Sequence, residues 1–282
     1  MNNKPVLFID SGIGGLPYCI DFLKKNPDEE ICYLADTQNF PYGSRTKDEI
    51  SAIMIDLTEK LIKIFDPKII VLACNTATIA ALSNLREYFK DTQILFVGTV
   101  PALKPAAEKS RNKKIGVLAT KQTIGGLVYS NIAAEAACSI FGLAAPDLVE
   151  FVEHKIETAS EQEKIEIVRK YITEFRSKGV DSLVLGCTHF LYLLDEFKHE
   201  ASDKGTEALH IEVFDSIAGV TKRIEFLLDE NEKTLRAEKD RKPSNLLLTT
   251  SVTDDVSWQK RARDLNFKLS LLSATQENDI CR

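Results

Sequence analysis

Ile69-Ile70-Val71-Leu72-Ala73-Cys74-Asn75-Thr76-Ala77-Thr78 is the stretch on which the fold turns. An apolar run rich in β-branched residues ends in a thiol and then in an Asn-Thr pair. A short continuous apolar run reads as a strand covered on both faces. The polar residues after it mark the passage from strand to helix, which in open α/β sheets is the edge where ligands bind. The same pattern returns at Leu183-Val184-Leu185-Gly186-Cys187-Thr188-His189. Two thiols at two such strand ends imply chemistry applied to one substrate from two sides.

Outward from this stretch the chain alternates strand and helix. Strands are expected at Val6 to Ile9, Ile31 to Leu34, Ile69 to Ala73, Ile94 to Val97, Ile115 to Ala119, Leu148 to Val152, Leu183 to Gly186 and Ile211 to Phe214. Between them lie helical patterns: Ile50, Ile53, Leu57, Leu61 and Ile64 recur at three- and four-residue steps and form one apolar face. Strands separated by helices imply parallel sheets. Beyond Pro243 a further strand (Leu246 to Thr250), helix (Asp255 to Leu265) and strand (Lys268 to Leu272) add one more unit. A weak repeat organises the whole. Leu7 to Leu16 and Gly116 to Leu127 each run strand, hydroxyl residue, then Ile-Gly-Gly-Leu opening a helix. Ser11 precedes Cys74 by nearly the distance at which Thr120 precedes Cys187. The expected fold is therefore α/β, with two similar lobes of mainly parallel sheets flanked by helices and the active site in the cleft between them. The first lobe is expected over 1–98 plus 210–282, with the C-terminal strand–helix–strand extension, and the second over 99–209.

The 282 residues suffice for such a pair of lobes. Hydrophobic residues at 44% and charged ones at 28% describe an ordinary globular protein. A net charge of −6 argues against a nucleic-acid partner. The basic run Lys109 to Lys114 reads as a solvated turn. Met1 to Pro5 lead straight into a strand, unlike a signal peptide, and no apolar run approaches a membrane span, so no membrane partner and a cytoplasmic location are expected. The six cysteines have no regular spacing and no Cys-x-x-Cys pair, which argues against a disulfide framework. A metal site from Cys74, Cys187 and His189 lacks the usual ligand spacing, so no metal is expected. Cys19, Cys32 and Cys138 read as packing residues and Cys281 as part of a tail.

The glycine-rich Asp10-Ser11-Gly12-Ile13-Gly14-Gly15-Leu16-Pro17 tempts a dinucleotide reading, with Asp36 on the ribose. Pro17 stands where the third glycine should, and Asp10 would face the pyrophosphate. A small carboxylate or amine is the better ligand. A lone strand-end cysteine is more often a small buried hydrophobe than a nucleophile. Around Cys74, however, Asn75 and Thr76 offer donors and acceptors, and a following helix presents free N–H groups. Such surroundings bind carboxylates and lower a thiol's pKa from about 8.5. Cys187 adds His189, able to move a proton near neutral pH. In Asp36 to Gly43, Gly43 allows close approach to a ligand and Tyr42 walls it. Glu153 and His154, expected after a strand, read singly as a solvated strand end or as supporting acid–base groups.

Asp10-Ser11-Gly12-x-Gly14-Gly15, Pro41-Tyr42-Gly43, Ala73-Cys74-Asn75-Thr76-Ala77-Thr78 and Leu185-Gly186-Cys187-Thr188-His189, in that order, resemble the glutamate racemases. The resemblance extends over most of the chain. It implies a cofactor-independent isomerase in which one cysteine thiolate removes the α-proton of glutamate and the other thiol delivers one to the opposite face. By it Cys74 and Cys187 are the acid–base pair, with Asp10 attending Cys74, and His189 and Glu153 attending Cys187. Asp10, Ser11, Tyr42, Gly43, Asn75, Thr76, Thr120, Thr188 and His189 bind or orient the substrate. The product would feed peptidoglycan synthesis, and a homodimer is compatible with the family. One departure stands out: Thr99-Val100-Pro101-Ala102 replaces the family's proline–glycine, which bears on the hinge. An aspartate racemase, a related two-cysteine isomerase, and a non-catalytic binding or regulatory relative are the competing readings.

Overall fold

The structure, a computed structural model, describes residues 4–125, 137–202, 210–230, 235, 237, 242–251 and 256–272. In chain order the described elements are β1 (Val6–Asp10), α1 (Leu16–Lys25), β2 (Ile31–Ala35), α2 (Lys47–Phe65), β3 (Ile69–Leu72), α3 (Asn75–Tyr88) and β4 (Leu95–Gly98). Then come α4 (Leu103–Lys109), β5 (Lys114–Ala119), α5 (Lys121–Ile124), β6 (Ser139–Ala144), α6 (Pro146–Lys155), α7 (Glu161–Ser177), β7 (Ser182–Leu185), α8 (Leu194–Ala201) and β8 (Glu212–Phe214). The chain continues through α9 (Ile217–Glu230), β9 (Leu246–Thr249), α10 (Val256–Asp264) and β10 (Lys268–Leu271). It divides into two compact units, Met1–Thr99 with Ile217–Arg282, and Val100–Ser216.

The first unit is built on a six-stranded sheet in the order β10-β9-β2-β1-β3-β4, every neighbouring pair parallel. β1, β2 and β3 are buried along their whole length, which is why they read as unbroken apolar runs. The expected helical face is α2, opened by a reciprocal capping box between Thr46 and Glu49. Ile50, Met54, Leu57 and Leu61 sink into the core with Ile70, Leu72 and Leu85, while Ile53 and Ile64 pack at its margin. Each fully buried side chain of this kind contributes about 1.5–3 kcal/mol of transfer free energy. The strand pair β9 and β10 extends the sheet beyond β2, as the C-terminal pattern anticipated.

The second unit holds a four-stranded parallel sheet in the order β6-β5-β7-β8. Its α7 begins with a Ser160/Glu163 capping box and buries Val168, Tyr171, Ile172 and Phe175. Each sheet starts on a central strand, adds the next strand on one side, then crosses to the other. The switch point thus lies between β1 and β3 in one unit and between β5 and β7 in the other. In open α/β sheets the ligand crevice lies outside the carboxyl ends of the strands at such a point.

Three expectations change. Leu148 to Val152 is no strand but part of α6, where Leu148, Val149 and Val152 turn inward at helical spacing after Pro146 starts the first turn. The strand that pairs with β5 is instead Ser139–Ala144, which lies at the sheet edge and is half exposed. The boundary expected at 209/210 falls after Ser216, because β8 pairs with β7 and stays with the second sheet. Among the described residues no helix is long and apolar enough to cross a membrane.

Candidate active site

In the first unit the residues expected to act gather at the carboxyl edge of β1 and β3. Cys74 is 7% exposed and occupies the N-cap of α3, its carbonyl accepting from the Thr78 N–H at 2.9 Å. The N–H groups of the first turn have no intrahelical acceptor, and with the helix dipole they favour an anion. Asn75 and Thr76 open that turn and are buried. The Asn75 amide is buried, yet among the described residues neither its Oδ1 nor its Nδ2 has a hydrogen-bond partner. Asp10 ends β1 wholly buried, its Oδ1 accepting from the Gly12 N–H at 2.8 Å, and Ser11 follows it, also buried.

Tyr42 and Gly43 lie in a short 3₁₀ turn, Tyr42–Ser44. The buried Tyr42 hydroxyl donates to Asp36 Oδ2 at 2.6 Å. Burial first, then the charge and hydrogen bond of Asp36, and then the charges of Cys74 and Asp10, push the Tyr42 phenol well above its ordinary range. Tyr42 therefore stays a neutral donor beside the Asp10 and Cys74 edge. Asp36, which the sequence offered only as a ribose ligand, is the hub of this wall. Its carboxylate accepts from Tyr42, from the Asn39 side-chain amide at 2.9 and 3.1 Å, and from the Thr250 hydroxyl at 2.7 Å. Its position after a strand was the available signal; Thr250, distant in the chain, gave none.

In the second unit Cys187 is 6% exposed and begins the 3₁₀ turn Thr188–Leu193. Its Sγ lies 4.0 Å from Nδ1 of His189, and His189 Nε2 lies 2.9 Å from Glu153 Oε2. Thiol, imidazole and carboxylate thus form one line. Burial alone would discharge His189, but the hydrogen bonds and charges of Cys187 and Glu153 outweigh it, and its pKa stands well above the ordinary imidazole value. Glu153 reaches this place because it lies on α6. Its neighbour His154 points to solvent and pairs with Glu150 at 3.4 Å. Thr188 is buried beside Cys187. Thr120 follows β5 and caps α5, accepting from the Thr123 N–H at 3.2 Å.

Burial pushes the Cys19 and Cys32 thiols far up, as packing residues require. Cys138 is half-buried, and Cys281 lies outside the described residues, as do Gly126 and Leu127 of the repeat.

Residues 23–223 match the family model described as Asp/Glu/Hydantoin racemase. The chain is 32% identical over 271 residues to a glutamate racemase of Clostridium perfringens, covering 95% of this chain and 97% of that one. Among solved structures it superposes on a glutamate racemase isoform of Bacillus anthracis with a TM-score of 0.75 at 27% identity, covering 96% and 97% of the two chains. It superposes on the Escherichia coli glutamate racemase in complex with L-glutamate and an activator, UDP-MurNAc-Ala, with a TM-score of 0.79 at 26% identity over 95% and 97%.

Proposed function

The chain belongs to the Asp/Glu/hydantoin racemase family, among its glutamate racemases, and from that premise we propose that it interconverts L- and D-glutamate by a two-thiol, two-base route that calls on no cofactor. The observation that carries this reading is a buried thiol at the switch point of each sheet, each with its own charged escort. Inversion at the α-carbon requires a base for one face and an acid for the other. One thiolate takes the α-proton, forming an S–H bond; the electron pair of the broken Cα–H bond spreads into the α-carboxylate; the other thiol then gives its proton to the other face of the α-carbon. The thiols exchange roles for the reverse reaction.

Ser11, Asn75, Thr76 and Thr188 supply donors that hold the substrate carboxylates and stabilise the charge that develops there. Tyr42 and Gly43 bound the ligand, and Thr120 adds a hydroxyl. Asp10 attends Cys74. His189, charged and steadied by Glu153, attends Cys187 by moving its proton. Two working thiols require a reducing compartment, which supports a cytoplasmic location, with D-glutamate passing to peptidoglycan synthesis. A homodimer is the proposed assembly, on the strength of the family resemblance.

Purified, reduced protein given L-glutamate in deuterated water is expected to form D-glutamate carrying deuterium at the α-carbon. Circular dichroism and mass spectrometry read the two properties separately. Cys74→Ser and Cys187→Ser should each lower the rate by about three orders of magnitude or more, as loss of a proton-transfer group does. An intact rate in either variant sinks the two-base route. Faster turnover of L-aspartate moves the protein to the sibling activity, and no racemisation at all favours a binding role.

A further inference from the structure

We propose that Tyr33 is a positioning residue for the Cys74 site, its buried phenol fixing the loop that follows Asp10 and carries Ser11 and, through Gly15, the strand end that leads to Cys74. The proposal rests on the racemase reading only for its kinetic consequence. Tyr33 lies in β2, opposite Phe8 of β1, and is fully buried. Its hydroxyl donates to the Gly12 carbonyl at 2.8 Å and accepts from the Gly15 N–H at 3.1 Å. It therefore spans both ends of the tight loop between β1 and α1. The same loop is tied to Asp10, whose carboxylate accepts from the Gly12 N–H at 2.8 Å.

Gly15 is the joint between this loop and the thiol. It holds the N-cap of α1, which has no side-chain cap. A Cβ built on it would lie 2.7 Å from the Ala73 Cβ, 2.9 Å from the Ala73 carbonyl oxygen and 3.0 Å from the Asp10 Cβ. The backbone of Gly15 thus sits hard against the residue before Cys74 and against Asp10 together. Ala73 is in turn fastened to β1 by its N–H bond to the Ile9 carbonyl at 2.8 Å. Any movement of Gly15 reaches both the carboxylate and the thiol. A phenylalanine ring would fill the same space in the core. What only the hydroxyl supplies is the pair of bonds that sets the loop, and enzymes lose rate when reacting groups shift by as little as an ångström.

The test is Tyr33→Phe in the full chain. Alkylation by iodoacetamide, mapped by mass spectrometry, should change about threefold or more at Cys74 and stay unchanged at Cys187, the internal reference. The kcat for glutamate should fall about tenfold with little change in KM. The primary isotope effect with α-deuterated substrate should rise for one enantiomer only, the one whose proton Cys74 removes. A folded variant with Cys74 reactivity and kcat unchanged, or with both thiols changed alike, overturns the proposal. If the wild type does not racemise glutamate, the functional reading fails while the alkylation comparison still decides the positioning role. If the variant does not fold, seen as alkylation of Cys19 and Cys32, amide exchange in the wild type decides. Slow exchange at Gly15 supports the bond to Tyr33, and exchange at the rate of an exposed amide overturns it.

Discussion

Asn75 shows what a single side chain reveals when its chemistry is incomplete within the protein. A buried polar group without a hydrogen bond costs about 1–3 kcal/mol, and among the described residues the enclosed Asn75 amide has no partner at either end. An amide so placed supports the proposed role of Asn75 in holding the substrate. Asn75→Leu, which keeps the volume and removes the polar atoms, is expected to stabilise the protein by about 1 kcal/mol. The same change should raise KM for glutamate at least tenfold, consistent with a lost oriented hydrogen bond to a charged group of about 1.5–3 kcal/mol. Denaturant melts and initial rates read the two effects, and a loss of both stability and activity would contradict this account. The motif around Asn75 was legible in the sequence; its orphaned amide was not, because enclosure depends on the fold. Ala102 also finds its explanation at this scale. It adopts φ −74° and ψ 48°, with Leu103 N–H bonded to the Pro101 carbonyl at 2.7 Å. That is an inverse γ-turn, open to any L-residue. The departure from a proline–glycine pair therefore imposes no backbone strain.

At the scale of elements, the strands around the two thiols were readable because burial on both faces leaves few polar residues in them. The segment Leu148 to Val152 misled for the same reason, being short, apolar and β-branched in part. Its signal was Pro146 just ahead and inward residues one turn apart. The difference matters, since a helix turns Glu153 toward His189 where a strand end would have left it in solvent. Glu153→Gln removes a charge that holds the His189 proton, so the imidazole should titrate at lower pH, read by NMR of its ring carbons. The sign of the stability effect follows. A histidine whose folded pKa exceeds its unfolded value of about 6.5 contributes fully below that pH and loses the contribution as pH rises through the folded value. The melting-temperature gap between wild type and Glu153→Gln should accordingly be widest near pH 6 and narrow toward alkaline pH. A gap that widens with pH would count against a charged His189.

For the whole molecule, the shared switch-point topology was foreshadowed by the strand-then-hydroxyl half of the repeat. The second Ile-Gly, expected to open a helix, instead closes α5 at Ile124 with Gly125 as its C-cap. The Asp36 hub was not foreshadowed at all. It joins β2 to the segment after β9, a contact no local pattern announces. Thr37 Oγ1 and Ser251 Oγ, 2.7 Å apart, add a second tie there, and the Gln38 N–H donates to Thr250 Oγ1 at 3.0 Å. Thr250→Val takes one donor from the buried carboxylate and should cost about 1.5–3 kcal/mol, the range for a hydrogen bond to a charged group. Turnover should fall with it as Tyr42 loosens, measured by urea unfolding and steady-state rates; unchanged turnover would separate Asp36 from the active edge. The same contact orders events at the ribosome. Domains form as the chain emerges from its N-terminus, yet here the first sheet is split by an insertion. β2 is an open edge, and Asp36 lacks Thr250, until the last strands have been made. The Cys187 unit has by then been synthesised in full. Translation thus delivers the second thiol's unit complete before the first thiol's, and the nascent chain carries an unpaired strand edge through most of its synthesis.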